Sequence, residues 1–443
     1  NEIVKKFLNR FIDDQSGQSL MEIIVGLTIG AVLIGTASIG IAFVLRSTST
    51  NQNLATASQL TQGLLSNVQT FAGSNWQNIY GLSKTSSTKY FLNASGTSYI
   101  AVRGQEGMID NDVTNGLVGE WKLDEAAGTV AYDATGNNDD GVFVGNPTHA
   151  SSTCKIANCL NFNGLTDTIL PANNNGVLNF YASGNYSGVA WIKLDQYQPE
   201  GGPSGCCGSR ILFNNSTDGG FDWRVWNNGS LNMYRPTTWC SVSSPAYSIP
   251  LNQWTHVAFT YSNQTMTIYI NGARIDSINS CNFLDSSVSP RINNAGGSHG
   301  LFGSIDDVRI YNRALSASEV KQLYNTQPFS RYFYVDNVCR TNDSSGSIAS
   351  SSSPCSGGSV DDPLTQKATA ITSWTAGGAS LDQVGLVRYI TRWGNFSIRQ
   401  TDWSGGTGQE GPITAPNSSY SSSTNIIGTS TLGSFQIQNL SQQ

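Results

Sequence analysis

Charge is what this chain has least of. Only 12% of its 443 residues are Asp, Glu, Lys or Arg, where globular proteins average roughly 25%. The formal net charge is −6, so no basic surface is available and no nucleic-acid partner is expected. Histidine is scarce, with three residues, and no CxxC pair has zinc spacing, which excludes a metal–thiolate centre. Cysteine is absent before residue 150, and all eight cysteines follow it. Long hydrophobic runs are also missing, with one exception near the N-terminus.

That exception runs from Ile23 to Leu45, 23 residues without a charge. As a helix rising about 1.5 Å per residue it reaches roughly 34 Å, enough to cross a bilayer core. Gly17-Gln18-Ser19-Leu20-Met21-Glu22 stands immediately before it, and Lys5, Lys6 and Arg10 precede that. A secretory signal has the reverse order, apolar core first and cleavage site after. The basic residues are expected to stay cytoplasmic, which sends everything beyond Leu45 outward. The plainest reading is an N-in, C-out anchor, which needs neither Gly17 nor Glu22.

The arrangement resembles type IV prepilins and pseudopilins. The resemblance implies cleavage after Gly17, methylation of the new N-terminus Gln18, and pairing of the Glu22 carboxylate with a neighbouring subunit's amine during assembly. Gln18 stands where the family usually has Phe or Met. The implied partners are a homo-oligomeric helical filament with other pilins, the prepilin peptidase and the pilus assembly machinery. The implied location is the inner membrane before assembly and an extracellular filament after it.

Downstream, Leu54, Leu60, Leu64, Leu65, Val68 and Phe71 keep helical spacing. Beyond Gly73 the pattern becomes short alternating runs, such as Ser98 to Val102, which read as strands. The expected class is α+β, a long pilin helix with a β-rich head and an inserted all-β sandwich. The expected boundaries are a leader over 1–17, a transmembrane and assembly helix over 18–72, pilin strands over 73–116, the insertion over 117–326, and the returning pilin strands over 327–443. Surface turns with close ends accept such insertions.

The cysteines lie on the expected outer side, where disulfides form. Cys154 and Cys159 suggest one local loop, and Cys339 and Cys355 another. Cys206, Cys207, Cys240 and Cys281 supply two further bonds in an order the sequence leaves open.

The middle block carries an ordered set of segments: Trp121-Lys122-Leu123-Asp124-Glu125, Tyr132-Asp133-Ala134-Thr135-Gly136-Asn137-Asn138, Val189-Ala190-Trp191-Ile192, Gln253 to Tyr261, Met266 to Gly272, and Phe302 to Tyr311. Alternation has period two throughout. Asn271-Gly272 suits a type I′ hairpin, because both residues tolerate positive φ. Ser316 with Glu319 forms a capping box for a short helix.

This set resembles laminin G-like, concanavalin A-like jelly rolls. The resemblance implies two facing antiparallel sheets and a Ca²⁺ ion held by Asp133, Asn138 and Asp306 with backbone carbonyls. The plainer role for Asp133 is to hold its own turn. Trp223, Trp226, Tyr234 and Trp239 are candidates for stacking on sugar rings, with a place in the core as the alternative for at least half of them. His256, among alternating apolar residues, reads as a buried, hydrogen-bonded histidine and not a catalytic one.

Glycosidases need two carboxylates about 5–10 Å apart across the scissile bond. The strand signature Glu-x-Asp-x-Glu is missing, and Glu120, Glu125, Glu200 and Glu319 stand apart. No nucleophile–base pair is evident either. The expectation is a non-enzymatic filament subunit whose module binds glycans or host and environmental surfaces in adhesion. The alternatives are a structural major pilin with the jelly roll as outer shell, and a pseudopilin of a type II secretion-like system.

Overall fold

The computed structural model describes residues 20–110, 112–179, 184–198, 208–216, 219–234, 240–281, 288–293, 299–326, 328–341, 347–351, 354–355, 359–376, 380–392, 426–428 and 435–437. The chain divides into two units, 1–56 and 57–443.

Helix α1 spans Leu20–Ser74, uninterrupted by proline. In the first unit its described side chains include exposed Leu27, Ile34 and Val44. Here Ser38 and Thr48 turn their hydroxyls back onto the carbonyls of Ile34 and Val44, at 2.8 and 2.9 Å. No helix among the described residues is long and apolar enough to cross a membrane, which corrects the expected transmembrane helix.

In the second unit the end of α1 buries Leu64, Leu65, Val68 and Phe71 against Tyr90, Leu92, Phe333, Val335, Ala368 and Ala370. Helical spacing puts those four on one stripe. Helix α2, Trp76–Tyr80, follows, with the Asn75 side chain accepting the Gln77 N–H as its N-cap.

Three strands come next, β1 (Tyr90–Ser95), β2 (Ser98–Arg103) and β3 (Glu106–Ile109). The chain then enters a sandwich: β4 (Leu117–Trp121), β5 (Val130–Ala131), β6 (Gly141–Val144), β7 (Thr148–Ala150), β8 (Cys159–Asn163), β9 (Thr168–Pro171) and β10 (Tyr186–Leu194). It continues through β11 (Gly208–Ser216), β12 (Gly219–Trp226), β13 (Leu231–Tyr234), β14 (Ser241–Ser243), β15 (Thr255–Ser262) and β16 (Thr265–Ile270). The sandwich closes with β17 (Ala273–Ile278), β18 (Arg291–Ile292), β19 (Phe302–Tyr311) and helix α3 (Ala317–Asn325). Strands β20 (Pro328–Arg340), β21 (Ile348–Ser350), β22 (Val360–Ala376) and β23 (Ser380–Thr391) follow, and then the isolated pair β24 (Ile426–Gly428) and β25 (Phe435–Ile437).

One sandwich sheet has the order β17-β16-β15-β10-β19-β8-β7 with β4 also on β19; the other is β14-β13-β12-β11-β18-β9-β6-β5. The flanking sheet is β2-β1-β20-β22-β23, with β3 and β21 also on β20. Strand β3 pairs Ile109 with Pro328, so the chain leaves this sheet and returns beside its own point of departure. Everything from β4 to α3 lies between those two residues in sequence.

The expected α+β pilin-like class is therefore corrected. The structure is β-dominated, with 25 strands against three helices among the described residues. A single helix, however long, supplies one stripe of one core. The principal core, built from both sandwich sheets, contains Trp121, Phe162, Trp223, Phe259 and Ile305.

Local chemistry places several turns. Asn271 and Gly272 take φ of 50° and 75° between β16 and β17, as the type I′ turn requires. The Ser316–Glu319 capping box opens α3.

Candidate functional site

In β12, Phe221, Trp223 and Val225 join the sandwich core. Period two therefore turns Asp222, Arg224 and Trp226 to the outer face of the same strand. In β13, Leu231 and Met233 face the core, which leaves Asn232 and Tyr234 outside. Register aligns these residues: Arg224 lies opposite Asn232, Asp222 opposite Tyr234, and Arg210 of β11 opposite Arg224.

The cluster is tightly engaged. Arg224 Nε donates to Asp222 Oδ1 at 2.7 Å, its Nη2 donates to Asp222 Oδ2 and, at 2.6 Å, to the Tyr234 hydroxyl. Arg210 Nε donates to Asp222 Oδ2 at 2.8 Å. The Arg224 guanidinium sits 4.9 Å from the Trp226 ring centre and 4.5 Å from that of Tyr234. Those two rings stack with centroids 6.5 Å apart, and both are half-buried. Burial, and then the guanidiniums of Arg210 and Arg224, push the nearby His299 down from its ordinary pKa.

Among the expected stacking residues, Trp226 and Tyr234 come together here. Trp223 does not: it is fully buried, edge-on to Phe259 at 5.1 Å, which corrects its assignment as a ligand contact. Residues 223 and 226 are three apart, and an odd separation in a strand puts side chains on opposite faces. Trp239 lies outside the described residues. Arg210, Asp222, Arg224, Asn232 and His299 were not anticipated, although the alternation Asp222-Trp223-Arg224-Val225-Trp226 marks the outer face.

The expected calcium ligands do not converge. Asp133 is buried, and its Oδ1 accepts the N–H groups of Glu120 and Thr135 while Oδ2 accepts the Thr135 hydroxyl and the Asp139 N–H. Asn138 takes φ of 59°, and its side chain accepts the Gly96 N–H at 3.0 Å. Asp306 lies across two strand steps: Asp133 bridges Trp121, and Trp121 pairs with Val308. At about 4.8 Å per step, plus two residues of about 3.3 Å each along β19, the backbones are roughly 12 Å apart. Among the described residues no group of three His, Cys, Asp or Glu is placed to hold a metal.

Asp306 instead faces Asp124. Together with Gly107, Ile109, Lys122, Ile156, Asp307 and Arg309 they line a cavity of about 10 Å³, the size of one water. Asp306 Oδ2 accepts the N–H groups of Lys155 and Ile156 at 3.0 and 2.9 Å, and its buried Oδ1 has no partner. Asp124 accepts the N–H groups of Gly107 and, at 3.0 Å, Asn158. Burial pushes both carboxyls well above the usual range; Asp306 adds to the shift of Asp124, and Asp307 to that of Asp306.

His256 is buried, as expected, yet its Nδ1 has no hydrogen-bond partner. Burial, then Arg309 and Lys155, push its pKa down to about 3, and the ring lies edge-on to Trp191 at 5.0 Å. Glu120 pairs with Arg309 at 2.8 Å, Glu125 accepts the Tyr132 N–H, and Glu319 serves the α3 cap. Glu200 lies outside the described residues.

Among the described residues three disulfides are formed, Cys154–Cys159, Cys339–Cys355 and Cys240–Cys281. Cys206 and Cys207 fall outside the described residues, as do Gly17 and Gln18. Glu22 lies on α1 with its side chain outside the described part.

The laminin G-type family of the concanavalin A-like lectin/glucanases superfamily matches residues 166–321. The chain thus carries a jelly-roll domain of that kind. No curated protein matches it. Among solved structures, domain 4 of AbnA, a GH43 extracellular arabinanase from Geobacillus stearothermophilus in complex with arabinotriose, is 21% identical over 47% of this chain and 98% of that one, with a TM-score of 0.38. The binding domain of Paraclostridial Mosquitocidal Protein 1 is 15% identical over 62% and 75%, with a TM-score of 0.40. A Trypanosoma rangeli sialidase is 18% identical over 60% of this chain and 38% of that one, with a TM-score of 0.38. These likenesses are distant and partial.

Proposed function

We propose that the jelly-roll domain is a saccharide-binding module that works outside the cell, in attachment to glycan-bearing surfaces. The observation that carries this reading is the pair of half-buried rings, Trp226 and Tyr234, set around Arg224 on the outer face of β11–β14. Aromatic rings offer apolar faces to the C–H surface of a sugar, and the polar groups between them fix its hydroxyls. The jelly-roll match is consistent with such a role, and three disulfides favour an oxidising compartment.

Binding is preferred to hydrolysis on the chemistry of that face. Glycoside hydrolysis uses two carboxylates flanking one bond. The described cluster contributes one, Asp222, and two guanidiniums already engage it. The buried pair Asp124 and Asp306 encloses space for a single water. The filament-subunit expectation rested on the Gly17 to Glu22 motif, whose side chains lie outside the described residues.

The test is a glycan array probed with the full chain and with Trp226→Ala. Binding to at least one saccharide class, lost in the variant, is expected. An array blank for the unaltered protein would overturn the reading.

A further inference from the structure

Strand β23 ends the flanking sheet. One of its edges pairs with β22, and among the described residues nothing pairs with the other. A free edge offers a row of backbone donors and acceptors to another strand, and proteins usually guard it with lysine, proline or a bulge. Strand β23 has none of these: it holds neither lysine nor proline, and its register with β22 runs unshifted from Thr365–Thr391 to Ala376–Ser380. Leu386 and Ile390 join the core beneath α1, so alternation turns the odd-numbered residues to the opposite face. There Leu381, Val387 and Tyr389 are 68%, 52% and 46% exposed.

The strand is also complementary to itself. Antiparallel pairing of two copies about Gly385 sets Leu381 opposite Tyr389, Asp382 opposite Arg388, Gln383 opposite Val387, and Val384 opposite Leu386. Each pair then occurs twice, as a twofold axis requires. Asp382 and Arg388 share the α1 face by parity, and Arg388 Nη1 donates to Gln69 Oε1 of α1 at 2.7 Å, which holds the guanidinium on that face. Moving the axis by one residue sets Asp382 opposite Leu386 or Ile390, and the charge match is lost. Gly385 stands on the axis although its own fold does not ask for glycine. Its φ is not left-handed, and a Cβ there would meet Ile371 Cγ1 at 3.9 Å, an ordinary contact. Glycine inside a strand often marks the close approach of another backbone.

We propose that two copies of this chain join β23 to β23 about Gly385, making one continuous sheet from their two flanking sheets. The match in charge and in apolar side chains is internal to β23, which is why the occupant is a second copy. Association is read without any ligand, so its failure leaves the saccharide-binding reading standing.

The test is the mass of the full chain in solution, measured by sedimentation equilibrium over a range of concentrations. A concentration-dependent dimer is expected. Arg388→Asp sets like charges opposite each other at both pairs and should raise the dimer dissociation constant about tenfold or more. Asp382→Arg should do the same. The two changes together restore opposite charges in exchanged positions and should restore the dimer, a result that loss of folding cannot give. Gly385→Cys places two sulfurs across the axis, where paired strands hold their Cα atoms about 4.5–5.5 Å apart, within disulfide range. Mild oxidation should then link two chains. A dimer unchanged by the charge reversals overturns the proposal, and so does a monomer at every concentration. In a monomer, outward β23 amides that resist hydrogen exchange would assign the edge to the chain's own residues 393–443, and amides that exchange freely would show it bare.

Discussion

Asp124 and Asp306 hold one loop between them. The loop closed by Cys154–Cys159 gives the N–H groups of Lys155 and Ile156 to Asp306 and that of Asn158 to Asp124. The carboxyls face each other across a one-water cavity, and both are pushed well above their ordinary pKa. The disulfide fixes the donors, and the donors make two buried acids tolerable.

This pair sets a pH dependence. An acid whose folded pKa is raised binds more protons folded than unfolded, so its contribution to stability is present below about 4 and is lost as pH rises through the folded value. Asp306→Asn removes that term while keeping an acceptor for Lys155 and Ile156. Urea unfolding of the variant at pH 4 to 8 should fall less steeply with pH than that of the unaltered protein. Parallel curves would show that Asp306 does not titrate in this way.

Glu106 has the opposite sign. Burial raises its carboxyl, but Arg331 and Lys122, at 2.7 and 2.9 Å, outweigh it and hold the pKa at about 2. Its contribution is present above pH 4.5 and is lost as pH falls towards 2. Glu106→Gln should cost roughly 3 kcal/mol at pH 7, with the difference closing in acid. A pH-independent loss in denaturant melts would assign the effect to packing.

Asp133 is an organiser of backbone. Asp133→Ala strands the N–H groups of Glu120, Thr135 and Asp139, at a cost of about 2–4 kcal/mol. The loss should be equal with calcium and with chelator. A calcium-dependent rise in melting temperature, abolished in the variant, would restore a metal at this turn.

Trp223 and Trp226 should separate stability from binding. Trp223→Ala empties a fully buried position and should cost about 3–5 kcal/mol. Trp226→Ala, on the outer face, should leave the melt within about 1 kcal/mol and remove saccharide binding. If Trp223→Ala melts normally, the core assignment fails.

The sequence determined what depends on near neighbours. Asn271-Gly272 makes its turn because two adjacent residues tolerate positive φ, and Ser316 caps α3 because Glu319 is one helical turn away. Alternation made the strands legible, and strand parity already separated Trp223 from Trp226, though composition drew both into one list. Tertiary structure decided the rest. Asp133 and Asp306 looked like partners because both occupy motif positions, but strand order places Trp121 and Val308 between them and Asp124 beside Asp306. Arg210, Asp222 and Arg224 form one cluster only because β11 and β12 pair in a particular register. A local pattern fixes dihedral angles and faces; which faces meet is set by pairings between residues distant in sequence, and those pairings leave no trace in any short stretch of it.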